Sequence, residues 1–128
     1  MAIIKSFTSI EQSRKLAEIL PIESVDMCYI NGDSGKISIG EWGNNVHDED
    51  DIPCWSLASL LDVLPNNENI STNLSKGGYR ISTLEYTNSW FVEYEDETNC
   101  SNNCVTSADN PVDACVAMIE KLKELNLL

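Results

Sequence analysis

The run Ile52-Pro53-Cys54-Trp55-Ser56-Leu57-Ala58-Ser59-Leu60-Leu61-Asp62-Val63-Leu64-Pro65 constrains the fold more than any other part of the chain. Leu57, Leu60, Leu61 and Leu64 recur at i, i+3, i+4 and i+7, which puts four leucines on one face of a helix. Pro53 stands where a helix can begin, because its missing N–H has no intrahelical acceptor there. Pro65 stands where a helix must stop. An amphipathic helix across this run needs an apolar surface to cover, and the flanking segments supply one.

On the N-terminal side, Thr8-Ser9-Ile10-Glu11 reads as a capping box, with Thr8 as N-cap and Glu11 three residues on. Ile10, Leu16, Ala17, Ile19 and Leu20 form the apolar stripe of this first helix, and Pro21 closes it. Val25 to Ile30 and Lys36 to Trp42 alternate with period two around the turn-forming Asn31-Gly32-Asp33-Ser34-Gly35, the pattern of a hairpin. Val25, Met27 and Tyr29 share one face of its first strand.

Beyond Pro65, residues 66–78 are polar and rich in breakers, with room for a short irregular strand around Ile70 to Leu74. Tyr79 to Tyr86 and Trp90 to Glu95 form a second hairpin about Thr87-Asn88-Ser89. Its later strand puts Trp90, Val92 and Tyr94 on one face and Phe91, Glu93 and Glu95 on the other, as in a sheet covered on a single side. Asp96 to Asp109 lacks periodicity and reads as a surface excursion. Asn110-Pro111-Val112-Asp113 starts the last helix with an N-cap, a proline in the first turn and an acid beside it. Cys115, Met118, Ile119, Leu122 and Leu125 mark its buried stripe.

The expectation is therefore a single α+β domain over residues 1–128, ordered α-β-β-α-β-β-α. Its four-stranded, mainly antiparallel sheet carries three helices on one face. A chain of this length buries a sizeable core without staples.

Charge narrows function. Eight Lys and Arg against 21 Asp and Glu leave a net charge of −13. Such a field repels phosphate backbones and anionic membrane surfaces, so neither nucleic acid nor membrane is an expected partner. The N-terminal apolar run is too short for a signal peptide, and no stretch approaches a membrane span, so a cytoplasmic protein is expected.

The five cysteines, an odd number, fit reduced thiols in that compartment. Cys28, Cys54 and Cys115 lie in apolar segments, where cysteine acts as a small hydrophobe. Cys100 and Cys104, spaced C-x₃-C, make half of a zinc-ligand pattern, read here as free surface thiols. The single histidine, His47, lies among acids with no Ser or Cys nucleophile at motif spacing. No glycine-rich phosphate loop is present, and the acidic run His47 to Asp51 does not match the calcium-loop pattern. No catalytic residue, metal or cofactor is expected. The partner-binding residues expected are Asp48, Glu49, Asp50 and Asp51 of the acidic loop, with Phe91, Glu93 and Glu95 on the wet face of the second hairpin.

Several segments together carry a resemblance. They are Ser9-Ile10-Glu11-Gln12-Ser13 with Leu16 and Leu20-Pro21, Asp26-Met27-Cys28-Tyr29, and Ile52-Pro53-Cys54-Trp55-Ser56-Leu57 with Leu60-Leu61 and Leu64-Pro65. Asp109-Asn110-Pro111-Val112-Asp113-Ala114-Cys115 with Met118-Ile119 and Leu122 completes the set. The chain resembles, over nearly its whole length, a family of small proteins from Bacteroides and their phages and mobile elements that has no established activity. Trp-Ser-Leu and Pro-Val-Asp-Ala are the most specific segments, and the Cys100–Cys104 loop falls outside them.

The resemblance implies an accessory gene of a phage or mobile element, and no site residues. The function expected on these grounds is a non-enzymatic acidic interaction protein. Its partner would be a host protein with a basic patch, such as a defence or nucleic-acid-handling factor. Sequestration of a nucleotide-type small molecule at a subunit interface of a homo-oligomer and a structural role in a virion are the alternatives. An enzyme using Cys54 or His47 has the least support.

Overall fold

A computed structural model of the chain describes residues 5–31, 37–42, 51–64, 80–83, 89–94 and 104–125. Among them are three helices, α1 (Ile10–Ala17), α2 (Leu57–Val63) and α3 (Pro111–Glu124). Six strands accompany them: β1 (Met27–Asn31), β2 (Ile37–Glu41), β3 (Ile52–Cys54), β4 (Arg80–Thr83), β5 (Trp90–Tyr94) and β6 (Cys104–Ala108). The fold is α+β with antiparallel sheets, as the alternation of periods implied.

The strands do not form one four-stranded sheet. They divide into two three-stranded antiparallel sheets, ordered β2-β1-β3 and β4-β5-β6. The chain order therefore gains a strand before α2 and another before α3. The helices are not gathered on one sheet face either: α1 packs on β3, while α3 packs on β5, β6 and α2. Both hairpins form as their alternation requires, with Tyr29 opposite Ile39 in the first and Val92 opposite Ile81 in the second.

The extra strands account for the differences. Ile52-Pro53-Cys54 is extended and pairs with β1, with Pro53 opposite Cys28 and Cys54 opposite Met27. β3 is an edge strand of its sheet, a place that tolerates a residue without an N–H. Helix α2 consequently starts late, at Leu57, where the Ser56 hydroxyl accepts from Ser59 N at 3.2 Å. The segment read as a surface excursion holds β6, which pairs with β5 from Tyr94–Cys104 to Trp90–Ala108. Cys104 is therefore buried in the core and is no surface thiol.

Helix α1 is capped one residue later than the sequence pattern suggests. Ser9 Oγ accepts from Gln12 N at 3.1 Å, and Gln12 Oε1 accepts from Ser9 N at 3.0 Å, which closes the capping box. Thr8 is instead drawn wholly inside. Leu16 and Ser13 face inward, Ala17 is exposed, and the helix ends at Ala17, before Ile19, Leu20 and Pro21. Helix α3 starts as read, with Asn110 Oδ1 accepting from Asp113 N at 2.8 Å. Its Val112, Ala114, Cys115, Val116, Met118, Ile119 and Leu122 are all buried, while Leu125 is 51% exposed and falls outside the stripe.

One apolar cluster joins Leu16, Trp55, Leu60, Leu64, Val92, Tyr94, Met118, Ile119 and Leu122. Leu60 and Leu64 are its contribution from the leucine face, with Leu57 and Leu61 half-buried against it. The expected short strand around Ile70 to Leu74 and the expected turn at Thr87-Asn88 lie outside the described residues.

Because Leu60 is fully buried in this cluster, Leu60→Ala is predicted to cost about 2–5 kcal/mol of unfolding free energy, as buried leucine truncations do. Chemical denaturation measures this, and a loss below about 0.5 kcal/mol, the surface range, would remove α2 from the core.

Candidate functional site

Three groups of polar residues stand out, and each is placed by the elements around it. The first is internal. Thr8, Ser13 and Cys54 are fully buried where the N-terminal segment, α1 and β3 meet. Thr8 Oγ1 lies 2.8 Å from Ser13 Oγ and accepts from Trp55 N at 3.1 Å. Cys54 Sγ lies 3.7 Å from Thr8 Oγ1 and donates to Thr8 O at 3.6 Å, and Tyr29 Oη donates to the same carbonyl at 2.6 Å. Beside it, Trp55 Nε1 donates to Ser24 Oγ at 2.9 Å. Asp26 accepts from both the backbone N–H and the hydroxyl of Ser56.

Every buried side-chain polar atom among the described residues has a partner, so this node is a satisfied joint and leaves no donor for a ligand. Burial pushes the Cys54 thiol up, against hydrogen bonds with Thr8 and Ser13 that pull it down. Cys28 and Cys104 are also raised by burial, and Cys115 is pushed up to about 11. A thiol held protonated at neutral pH is a poor nucleophile, which weighs against catalysis by Cys54.

The second group is a shallow cleft of about 360 Å³ between α1 and α3. Lys5 Nζ donates to Gln12 Oε1 and to Asp113 Oδ1, both at 2.8 Å, and Gln12 Nε2 donates to Asp113 Oδ1 at 2.7 Å. Asn110 Nδ2 donates to Asp113 Oδ2 at 2.8 Å. The cap residues of two helices are thus clasped together by one lysine. Burial alone would raise the Asp113 carboxyl, but hydrogen bonds from Lys5, Gln12 and Asn110 and the Lys5 charge outweigh it and hold the group below the usual range. Glu11, Lys15 and Glu120 line the rest of the cleft, over a floor of Val116 and Ala117. Lys15 is paired loosely with Glu11 at 4.0 Å.

The third group lies on the second sheet. Phe91 and Glu93 of β5 are half-buried on the face opposite Val92 and Tyr94, as the alternation required. In register, Phe91 stands beside Ser107 and Glu93 beside Val105.

Of the other residues expected to bind a partner, Asp51 is half-buried just before β3, where its charge helps raise the Cys28 thiol. It adjoins the first sheet, whereas Phe91 and Glu93 belong to the second, so the three are not on one sheet. Asp48, Glu49, Asp50 and Glu95 lie outside the described residues, as do His47 and Cys100. Among the described residues no three His, Cys, Asp or Glu side chains converge as a metal site, and no helix is long and apolar enough to cross a membrane.

The sequence reading missed Lys5 and Gln12. The capping potential of Ser9 with Gln12 was a usable local signal; the meeting of Lys5 with Asp113, 108 residues apart, left none. Comparison with protein-family models, curated proteins and solved structures finds no match.

Two predictions follow from this geometry. Thr8→Val removes the hydroxyl that accepts from the buried Trp55 N–H and should cost about 1–3 kcal/mol, the penalty for orphaning such a donor. Asp113 titrates with a depressed folded-state value, so its contribution is present above its ordinary carboxyl range and lost as pH falls through the folded value. Urea unfolding from neutral to acid pH should therefore show a shallower acid loss in Asp113→Asn than in the parent; identical slopes would dismiss the clasp as a source of stability.

Proposed function

We propose that this chain is a non-enzymatic acidic interaction protein that engages a basic surface on another protein. The observation that carries the reading is the excess of uncompensated carboxylates. Glu18, Glu23, Glu41, Asp62, Asp109 and Glu124 are exposed, and none forms an ion pair among the described residues. With a net charge of −13, the field around the molecule favours cationic partners and disfavours phosphate backbones.

The buried, protonated thiols and the fully satisfied polar node offer no activated nucleophile among the described residues, which supports binding over catalysis. The resemblance to proteins of Bacteroides phages and mobile elements supplies the setting: action in the host cytosol on a host defence or nucleic-acid-handling protein. Such proteins carry basic surfaces because they bind nucleic acid, and an acidic protein competes for them.

A second reading, sequestration of a small molecule, draws on the α1–α3 cleft, whose volume falls at the low end for ligand sites. Lys5 and Lys15 could face an anionic group there, although both already have acidic partners. A thermal-shift screen separates the two: a nucleotide-type ligand that raises the unfolding temperature favours the cleft, and its loss in Lys15→Ala would locate it.

The principal reading predicts that the immobilised protein retains a discrete basic host protein from lysate at low salt and releases it as salt rises, because exposed charge pairs are screened. Recovery of no host protein at low salt would count decisively against it.

A further inference from the structure

Among the described residues, the edges of the two sheets are treated differently. An edge strand shows unpaired N–H and C=O groups, and proteins blunt such edges with charge, proline, shortness or a covering segment. β2 carries Gly40 and Glu41, and β4 carries Arg80. β3 is three residues long, contains Pro53, and is continued by the Phe7–Ser56 bridge from the N-terminal segment. β6, Cys-Val-Thr-Ser-Ala, is a five-residue edge strand without charge, glycine or proline.

Its two faces are distinct. Cys104 and Thr106 turn toward α3, with Cys104 Sγ 3.7 Å from Met118 Sδ and Thr106 Oγ1 donating to Ala114 O at 2.9 Å. Val105, 37% exposed, and Ser107 turn the other way, beside Glu93 and Phe91. The main chain has a direction too. The Val105 carbonyl accepts from Lys121 Nζ at 3.4 Å, a contact that fits a carbonyl directed away from β5. In an antiparallel strand the N–H and C=O of one residue point the same way and alternate residues share that side. Val105 N–H and both groups of Ser107 then face outward as well, and neither residue has another hydrogen bond outside the ladder among the described residues.

We propose that the outer edge of β6 is a strand-addition site for an extended segment of a partner protein with Lys or Arg at alternate positions. Main-chain bonds to Val105 and Ser107 supply attachment, as in strand augmentation generally. Charge selects the occupant: a second copy would bring −13 against −13, whereas a cationic segment is attracted. Exposed Asp109, just past the strand, places a carboxylate near the added side chains. Lys121, the cation at this edge, yields the Val105 carbonyl to the incoming strand. The proposal rests on the acidic-interaction reading and names where that interaction is made.

Amide hydrogen exchange by NMR tests it. In the free protein Val105 and Ser107 should exchange fast and Thr106 slowly; the reverse pattern overturns the assigned edge. The probe is a short synthetic peptide alternating lysine and threonine, and its control is the same peptide N-methylated at every second residue, equal in charge but unable to pair. The plain peptide alone should slow Val105 and Ser107 exchange, roughly tenfold when it occupies most of the protein. Ser107→Pro should abolish that protection. Val105→Lys, which keeps the main chain intact and guards the edge with a cation, should weaken plain-peptide binding several-fold. If both peptides bind alike without protecting these amides, the edge site is wrong while the acidic-interaction reading stands. If neither binds, both fail. Protection of both amides in a protein that sediments as a dimer would assign the edge to a second copy and overturn the choice of occupant.

Discussion

The buried hydroxyl of Thr8 is the constraint from which much of the architecture follows. It accepts from the Trp55 N–H, while the backbone N–H of Thr8 donates to Trp55 O at 2.9 Å and Leu57 N donates to Ser6 O at 2.9 Å. These bonds lay the N-terminal segment alongside the chain as it leaves β3, and they hold Trp55 extended where the leucine periodicity alone would allow helix. Trp55 then enters the core, Ser56 becomes the cap, and α2 begins two residues after the tryptophan. On the other side of Thr8, Ser9 starts α1 at once. A single buried threonine thus sets the end of one strand and lies between the starts of two helices, a concentration possible because its oxygen both donates and accepts.

The two sheets are joined through helices. Helix α3 covers β5 and β6, α2 packs on α3, and α1 covers β3, so the shared apolar cluster lies among helices as much as between strands. The Lys5–Gln12–Asp113–Asn110 clasp ties the start of α1 to the start of α3 at the surface above that cluster. It is part-exposed, and its value is mainly positional, since exposed ion pairs contribute little energy. Among the described residues the interior is built from apolar side chains, neutral hydroxyls and protonated thiols, and every carboxylate is exposed or half-buried. A chain of −13 tolerates its self-repulsion because like charges on a wet surface are separated and screened.

Legibility of the candidate site was uneven, for a physical reason. The sign and size of the charge, and the placing of Phe91 and Glu93 on the face opposite Val92 and Tyr94, follow from composition and period two, and the structure places these residues accordingly. That Asp51 adjoins a different sheet from the one holding Phe91 and Glu93 depends on topology, which no local pattern encodes. The edge character of β6 was invisible for the same reason: a strand becomes an edge only when its neighbours are known.

By itself the sequence determined the α+β class, the N-cap of α3 and its buried stripe as far as Leu122, the pairing of both hairpins, the leucine face of α2 and the burial of Cys28, Cys54 and Cys115. All of these rest on interactions within a few residues or on the burial preference of a side chain. Tertiary structure alone decided that Ile52-Pro53-Cys54 is strand, that Ser9 caps α1 in place of Thr8, that Cys104 to Ala108 is strand, and that Cys104 is buried. A three-residue segment with proline, and a five-residue segment in which only Val105 and Thr106 favour strand, carry weak strand signals of their own. They become strands because β1 and β5 offer main-chain partners, and those bonds outweigh local propensity.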